Sequence, residues 1–214
     1  MRGNLKSLLG EIEEIEGILV PGQELALLVL ASSLKERSTI VEIGSFKGKS
    51  TACLALGSPK TATVYAIDTF KGNQKDFSEG VQFTGGSFYK DFEKNLKEIG
   101  VFCKTIPLTG FSAQIGKNWN KPIDLLFIDG SHIYEDVKKD YELFYPWVRP
   151  GGIVAFHDVD QKFPGVYKVW NKYIKDKLSA HDNFHTLFFG FKPKNILSKI
   201  IDLARIKFLK LEMG

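Results

Sequence analysis

Residues Thr39-Ile-Val-Glu-Ile-Gly44-Ser-Phe-Lys-Gly48-Lys-Ser-Thr51 pass from a β-branched run to a pair of glycines and on into an apolar helical pattern. Ile40, Val41 and Ile43 read as a buried strand. Ala52, Leu54, Ala55 and Leu56 continue as a helix. A strand, a glycine turn and a helix N-terminus bring backbone close to a ligand and aim N–H groups at it. Three ligand classes use such a turn: nucleotides, dinucleotides and adenosyl cofactors.

The spacing separates the three. A phosphate loop needs four residues between its first glycine and Gly-Lys-Ser/Thr. Gly44-Ser-Phe-Lys-Gly48-Lys49-Ser50 has one residue too few, although Leu125-Leu-Phe-Ile-Asp129 imitates the strand that ends in a magnesium-holding Asp. A dinucleotide fold needs a second glycine where Phe46 stands, and Phe46 would block backbone approach to a pyrophosphate. S-adenosylmethionine carries no phosphate. It needs room beside the strand end and acids for an ammonium and for ribose hydroxyls, which Glu42 and Asp68 can supply.

Outward from this turn the chain alternates. Strands are expected at 39–43, 63–68, 102–107, 124–129 and 152–157, with a late one in 184–193. Helical patterns cover 23–34, 90–99, 134–144 and 164–178. Leu5, Leu8, Leu9, Ile12, Ile15 and Leu19 recur at helical spacing before Pro21-Gly22 breaks the pattern. Such alternation predicts an α/β fold, a doubly wound, Rossmann-like, mostly parallel sheet. The expected organisation is one domain over 1–193, with N-terminal helices in 4–34 and a sheet core in 38–193. Residues 194–214 add an amphipathic helix, with Leu197, Ile200, Ile201, Ala204, Phe208 and Leu211 on one side and Lys199, Lys207 and Lys210 on another. That helix is expected to dock on the domain, on a second copy or on a membrane surface. Residues 69–88 read as a long loop that could act as a lid.

Composition excludes several classes. The 214 residues suffice for one well-buried domain, with 43% hydrophobic and 25% charged residues. No apolar run reaches the ~18–20 residues of a membrane span, and the start lacks a signal peptide's apolar block, so a cytoplasmic location is expected. Cys53 and Cys103 stand alone in apolar contexts and read as buried free thiols. A net charge of +4 with scattered lysines gives no nucleic-acid footprint.

Four motifs in order then carry a resemblance: Val41-Glu-Ile-Gly44-Ser45-Phe-Lys-Gly48-Lys-Ser50, Ala66-Ile-Asp68-Thr-Phe70, Asp124-Leu-Leu-Phe-Ile-Asp129-Gly-Ser-His132-Ile-Tyr134-Glu135 and Arg149-Pro-Gly-Gly152-Ile-Val-Ala-Phe-His157-Asp158. Over residues 20–193 the chain resembles the class I S-adenosylmethionine-dependent methyltransferases. More narrowly it resembles the small bacterial O-methyltransferase-like branch with an Asp-Gly-x-His-x-Tyr-Glu signature, which includes sugar and antibiotic O-methyltransferases. The resemblance implies an antiparallel last strand. It also implies a cofactor site in which Gly44, Ser45, Gly48 and Ser50 line the methionine side with Glu42 behind them. Asp68 would hold the ribose, Ser112 would approach the adenine, and Asp129 would border both cofactor and acceptor. Methyltransferases that modify adenine amino groups have a Pro-Pro-aromatic motif after the fourth strand; here Asp129-Gly-Ser-His stands in its place.

The implied reaction is O-methylation of a small-molecule hydroxyl, such as that of a sugar or glycoconjugate. The alternatives are a phosphate-loop-like nucleotide hydrolase and a catalytically silent cofactor-binding or scaffold domain. His132 is the candidate general base, three residues after Asp129 and with an imidazole suited to neutral pH; a helix-capping role is the alternative. Asp129 and Asp158 end neighbouring strands and could share Mg²⁺ or Mn²⁺, which would activate the acceptor. His157 stands where related metal-dependent enzymes place a second acid. It either ligates, shifting preference toward softer ions, or orients Asp158 by a hydrogen bond.

Overall fold

In the computed structural model, residues 5–71, 87–195 and 198–213 are described. The core of the lid expectation (residues 72–86), together with Leu197, lies outside them. The sheet has seven strands: β1 Thr39–Ile43, β2 Thr63–Asp68, β3 Thr105–Thr109, β4 Ile123–Ile128, β5 Val148–Phe156, β6 Ala180–Phe184 and β7 Leu187–Phe191. Their order is β3-β2-β1-β4-β5-β7-β6. β1 to β5 pair in parallel, whereas β7 runs antiparallel to both β5 and β6. This is the class I methyltransferase fold, with the antiparallel final hairpin. Strand order reverses between β1 and β4, so a ligand crevice is expected outside their carboxyl ends.

The helices are α1 Leu5–Glu13, α2 Gln23–Ser32, α3 Lys49–Gly57, α4 Tyr89–Glu98, α5 Ser112–Lys117, α6 Tyr134–Phe144, α7 Pro164–Val169 and α8 Ser198–Met213. Alternate strand residues feed two cores, one on each face of the sheet. Ile40, Val64, Phe127 and Ala155 pack with α1, α2, α3 and α8. Val41, Ile43, Leu126 and Phe156 pack with α6, α7 and the turn that follows it. Burial on both faces explains why β1 and β4 are nearly continuous apolar runs rather than alternating ones.

Several boundaries differ from the sequence pattern. The third strand begins at Thr105 because Phe102–Lys104 form a 3₁₀ turn; Pro107 is accommodated because β3 is an edge strand. β5 starts at Val148, four residues early, with a register shift against β4 between Ile123 and Leu125. The helical pattern over 164–178 is a short α7, then a π turn at Trp170–Ile174 and a 3₁₀ turn at Lys175–Lys177. Its apolar residues Val166, Val169, Trp170 and Ile174 are buried all the same. β6 and α5 were not expected. β6 (Ala-His-Asp-Asn-Phe) has no apolar alternation, and its pairing with β7 sets its state. Cys53 is buried, but Cys103 is exposed at the 3₁₀ turn, and both are free thiols.

Ile200, Ile201, Phe208 and Leu211 share one side of α8, as their spacing predicts, and that side is exposed. The helix docks through Ser198, Asp202, Ile206, Leu209 and Met213. Asp202 accepts from Ser179 Oγ and forms an ion pair with Arg205 at 3.0 Å. Arg205 also donates to the Gly151 carbonyl at 3.2 Å and lies 3.7 Å from the Phe191 ring centroid. Both sides of the helix are apolar, so periodicity could not choose between them; the buried polar anchor does.

Candidate functional site

The glycine turn begins where β1 meets β4. A Cβ on Gly44 would lie 2.0 Å from the Asp129 carbonyl oxygen, so only glycine permits this approach. Gly44, Phe46 and Gly48 all take left-handed backbone, with φ of 88°, 46° and 92°. Strain at Phe46 is offset by Asp68. One Asp68 oxygen accepts the N–H groups of Ser45 (2.7 Å) and Phe46 (2.8 Å), and the other accepts that of Phe70 (2.6 Å). Three of the roughly four acceptor positions of that carboxylate are therefore used by backbone. Asp68 thus holds the turn itself.

Glu42 lies beneath the turn and is fully buried. Its Oε2 accepts hydrogen bonds from Ser45 Oγ at 2.7 Å and from Thr51 Oγ1. Its Oε1 is buried with no hydrogen-bond partner among the described residues. Burial pushes the carboxyl up to about 7, against the pull of the Ser50, Thr51 and Ser45 hydroxyls. An acid with one oxygen satisfied and one orphaned suits a cationic or N–H-bearing group arriving from outside.

β4 and β5 deliver a second acidic group. Asp129 follows β4, with its N–H bonded to the Ile43 carbonyl, and His157 and Asp158 follow β5. His157 Nδ1 stands 3.1 Å from Asp129 Oδ1 and 3.1 Å from Asp158 Oδ2. Potential ligand atoms of these three residues all lie within 4.8 Å of one another. His132, from the loop before α6, places Nε2 at 3.0 Å from Asp158 Oδ2 and its ring against Phe163. Asp158 has φ 57°, a strained backbone that aims its carboxylate between the two imidazoles.

Gln23 decides the state of His157, and the sequence pattern gave no sign of it. The Val20 N–H can only donate, and it meets Gln23 Oε1 at 2.9 Å. The Gln23 amide nitrogen donates to Thr186 Oγ1 at 3.0 Å. The atom that faces His157 Nε2 at 2.8 Å is therefore the Gln23 oxygen, and Nε2 must carry a proton. Nδ1 is left facing two carboxylates. It must hold a second proton there or present its lone pair to a cation, because a bare lone pair beside two carboxylates is repulsive.

The electrostatics agree. Burial opposes charge on His157, but Asp129 and Asp158 outweigh it and push the imidazole up to about 10. Burial would raise Asp158, yet hydrogen bonds from His132 and His157 bring it down to about 2. Asp129 stays above the ordinary carboxylate range, chiefly through burial, with the like charge of Asp158 adding to it.

The remaining expected residues fall around these two centres. Ser50 is buried on the first turn of α3, beside Glu42. Ser112 opens α5, but its hydroxyl donates to buried Asp140 of α6 at 2.5 Å. Burial holds Asp140 up to about 7. Tyr134 and Glu135 begin α6. From His132 a groove of about 840 Å³ runs along α7, bordered by Tyr134, Tyr167, Lys168 and Lys172. Gln23, Thr186 and Asp140 are the residues that sequence reasoning missed. The position of Gln23 just after Pro-Gly identified a helix start and nothing more.

A family model described as a methyltransferase domain matches residues 41–159, which contain the glycine turn, Asp68, Asp129 and the His157-Asp158 pair. The chain belongs to the methyltransferase-domain family. These are the class I S-adenosylmethionine-dependent methyltransferases that its motifs resemble. Uncharacterized protein y4gI of Sinorhizobium fredii is 30% identical over 182 residues, which cover 82% of this chain and 19% of y4gI. The chain thus spans about a fifth of that relative and 62% of a second curated one. Among solved structures, an O-methyltransferase from Bacillus cereus in complex with S-adenosylhomocysteine is similar, with a TM-score of 0.61 and 17% identity; the match covers 90% of this chain and 92% of that one. CalS11, a TDP-rhamnose 3′-O-methyltransferase of calicheamicin biosynthesis, has a TM-score of 0.56 and 17% identity; it covers 89% of this chain and 80% of its own.

Proposed function

We propose that this methyltransferase-family chain binds S-adenosylmethionine at the β1–β4 crevice and methylates a hydroxyl of a small molecule, a sugar or glycoconjugate. The observation that carries the reading is the orphaned Glu42 oxygen under the glycine turn, with the Asp129–His157–Asp158 cluster at the ends of the neighbouring strands. The cofactor's ammonium would give Glu42 Oε1 the partner it lacks, while Gly44, Ser45, Gly48 and Ser50 border the same space. The remaining acceptor capacity of Asp68 would serve the ribose, and the loop before α5, held by the Ser112–Asp140 bond, would lie at the adenine end. S-adenosylmethionine supplies an electrophilic methyl group on a sulfonium.

The chain's own task is to align the acceptor oxygen and remove its proton. His132 is suited to the second part. With Nε2–H directed at Asp158, Nδ1 is the basic nitrogen, and Asp158 stabilises the imidazolium that forms. Asp129, Asp158 and His157 Nδ1 would hold a divalent ion, Mg²⁺ or the softer Mn²⁺, which would lower the acceptor's pKa and fix its position. The Gln23 bond favours this reading, because it keeps the His157 proton on the outer nitrogen. The same geometry also suits a metal-free site with His157 as an imidazolium shared by two carboxylates. The sugar reading takes support from CalS11, which acts on a sugar hydroxyl from the same fold.

Titration calorimetry tests the cofactor. S-adenosylhomocysteine should bind, ATP should show no comparable binding, and the reverse result would restore the phosphate-loop reading. Turnover of a sugar-acceptor panel with and without chelator tests the rest. Loss in chelator and recovery with Mg²⁺ or Mn²⁺ is expected; full activity in chelator would leave the imidazolium site standing alone.

A further inference from the structure

α8 is held to the domain by one face and shows solvent a second apolar face. Ile200 is 74% exposed, Ile201 62%, Leu203 47%, Phe208 50% and Leu211 79%. The other exposed residues of this helix are Lys199, Ala204 and Lys207. No carboxylate is exposed on α8: Asp202 is buried against Ser179 and Arg205, and Glu212 is only half-exposed. Lys210 leans away to the Asn183 carbonyl at 2.6 Å and Asp182 at 3.5 Å. The helix is therefore preformed and anchored, with an outer side of large apolar side chains and lysines.

We propose that this outer face of α8 is a docking surface for an anionic phospholipid bilayer, with the helix lying flat in the headgroup region. Apolar side chains on one arc and lysines able to reach phosphate are what an interfacial helix requires. Because the inner face already fixes the helix to β6 and the sheet, binding costs no coil-to-helix ordering. The charge pattern selects the occupant. A two-fold contact between copies would bury Lys207, which sits between Leu203 and Leu211 on the same side, with no exposed carboxylate of the helix to meet it. At a bilayer the lysine ammonium stays among headgroups while Ile200, Ile201 and Leu211 enter the acyl boundary. Among the described residues no helix is long and apolar enough to cross a membrane.

Vesicle flotation tests this with the full chain. Vesicles of phosphatidylcholine and phosphatidylglycerol should carry the protein up the gradient, vesicles of phosphatidylcholine alone should carry much less, and added salt should weaken binding. Ile200→Ser with Leu211→Ser, and separately Lys207→Gln, should each reduce flotation by at least about five-fold. Both changes lie on exposed positions, so the melting temperature and S-adenosylhomocysteine affinity should stay at the wild-type level. Because the readout is lipid binding, the result stands whether or not the chain transfers methyl groups. Equal flotation of the Ile200→Ser/Leu211→Ser variant would overturn the proposal. So would a wild-type dimer in light scattering that this variant breaks, which would assign the face to a second copy.

Discussion

Glu42 lies on β1, Asp129 just past β4 and Asp158 just past β5, and each takes a carboxyl group out of water. Among the described residues Glu42 is surrounded by hydroxyls and meets no cation, so burial wins and the acid is held up to about 7 with one oxygen unsatisfied. Asp129 and Asp158 flank His157 at 3.1 Å, so a cation within the cluster stabilises them, and Asp158 falls to about 2. The first centre leaves Glu42 Oε1 without a hydrogen-bond partner among the described residues. In the second, a protonated His157 would lie between two carboxylates, and a metal ion taken up at Nδ1 would displace that proton.

Substitutions in the cluster should break the comparison most severely. Asp129→Asn and Asp158→Asn should each remove most turnover while leaving S-adenosylhomocysteine affinity close to wild type, as calorimetry would show. His132→Gln should lower kcat by about 10²–10⁴ if it takes the acceptor proton; a rate near wild type would leave it with its Asp158 bond and no catalytic part.

On the other side the loss should appear in binding. Glu42→Gln should weaken S-adenosylhomocysteine by roughly 1.5–3 kcal/mol, the scale of a hydrogen bond to a charged group. An unchanged Kd would mean that the orphaned oxygen does not face the cofactor. Gln23→Met should be milder, about a 10-fold fall in activity, because it removes only the acceptor that fixes the His157 tautomer. A shift in metal concentration dependence, rather than in Kd for cofactor, would identify it as a positioning residue.

The smallest effect, and the sharpest contrast, is in stability against pH for the apo protein in chelator. The folded pKa of Glu42 is raised from 4.5 to about 7, so its stabilising contribution is complete below about 4.5 and is lost as pH rises through 7. That of His157 is raised from 6.5 to about 10, so its contribution is complete below 6.5 and is lost between there and 10. Asp158, with its pKa lowered from 3.8 to about 2, stabilises above 3.8 and loses that as pH falls through 2. Replacing Glu42 by Gln should therefore flatten the fall between pH 4.5 and 7, by roughly 1–3 kcal/mol. Replacing His157 by Gln should change the profile mainly above pH 6.5. Melting curves that moved in the same window for both variants would merge the two centres into one titrating network.

Much of this was legible before any coordinates. β1, β2 and α6 have the boundaries that their apolar patterns predict, because each is buried by a clear period or a continuous run. Glu42, Gly44, Asp68, Asp129 and Asp158 could be placed at strand ends because a strand's end fixes where its next residue points. Gln23 and Asp140 could not, since each acts through one bond made across a long stretch of chain, His157 to Gln23 and Ser112 to Asp140. β6 was missed for a related reason: a polar edge strand exists only by virtue of the partner beside it.

By itself the sequence determined the parallel α/β sheet, the glycine turn under β1 and the acids at its mouth, because local periodicity and steric freedom are properties of neighbouring residues. Tertiary structure alone decided which nitrogen of His157 keeps its proton, which oxygen of Glu42 goes without a partner and which side of α8 faces solvent. Each of those depends on groups far apart in the chain meeting at hydrogen-bond distance, and on a buried polar anchor outweighing a choice that apolar pattern leaves even.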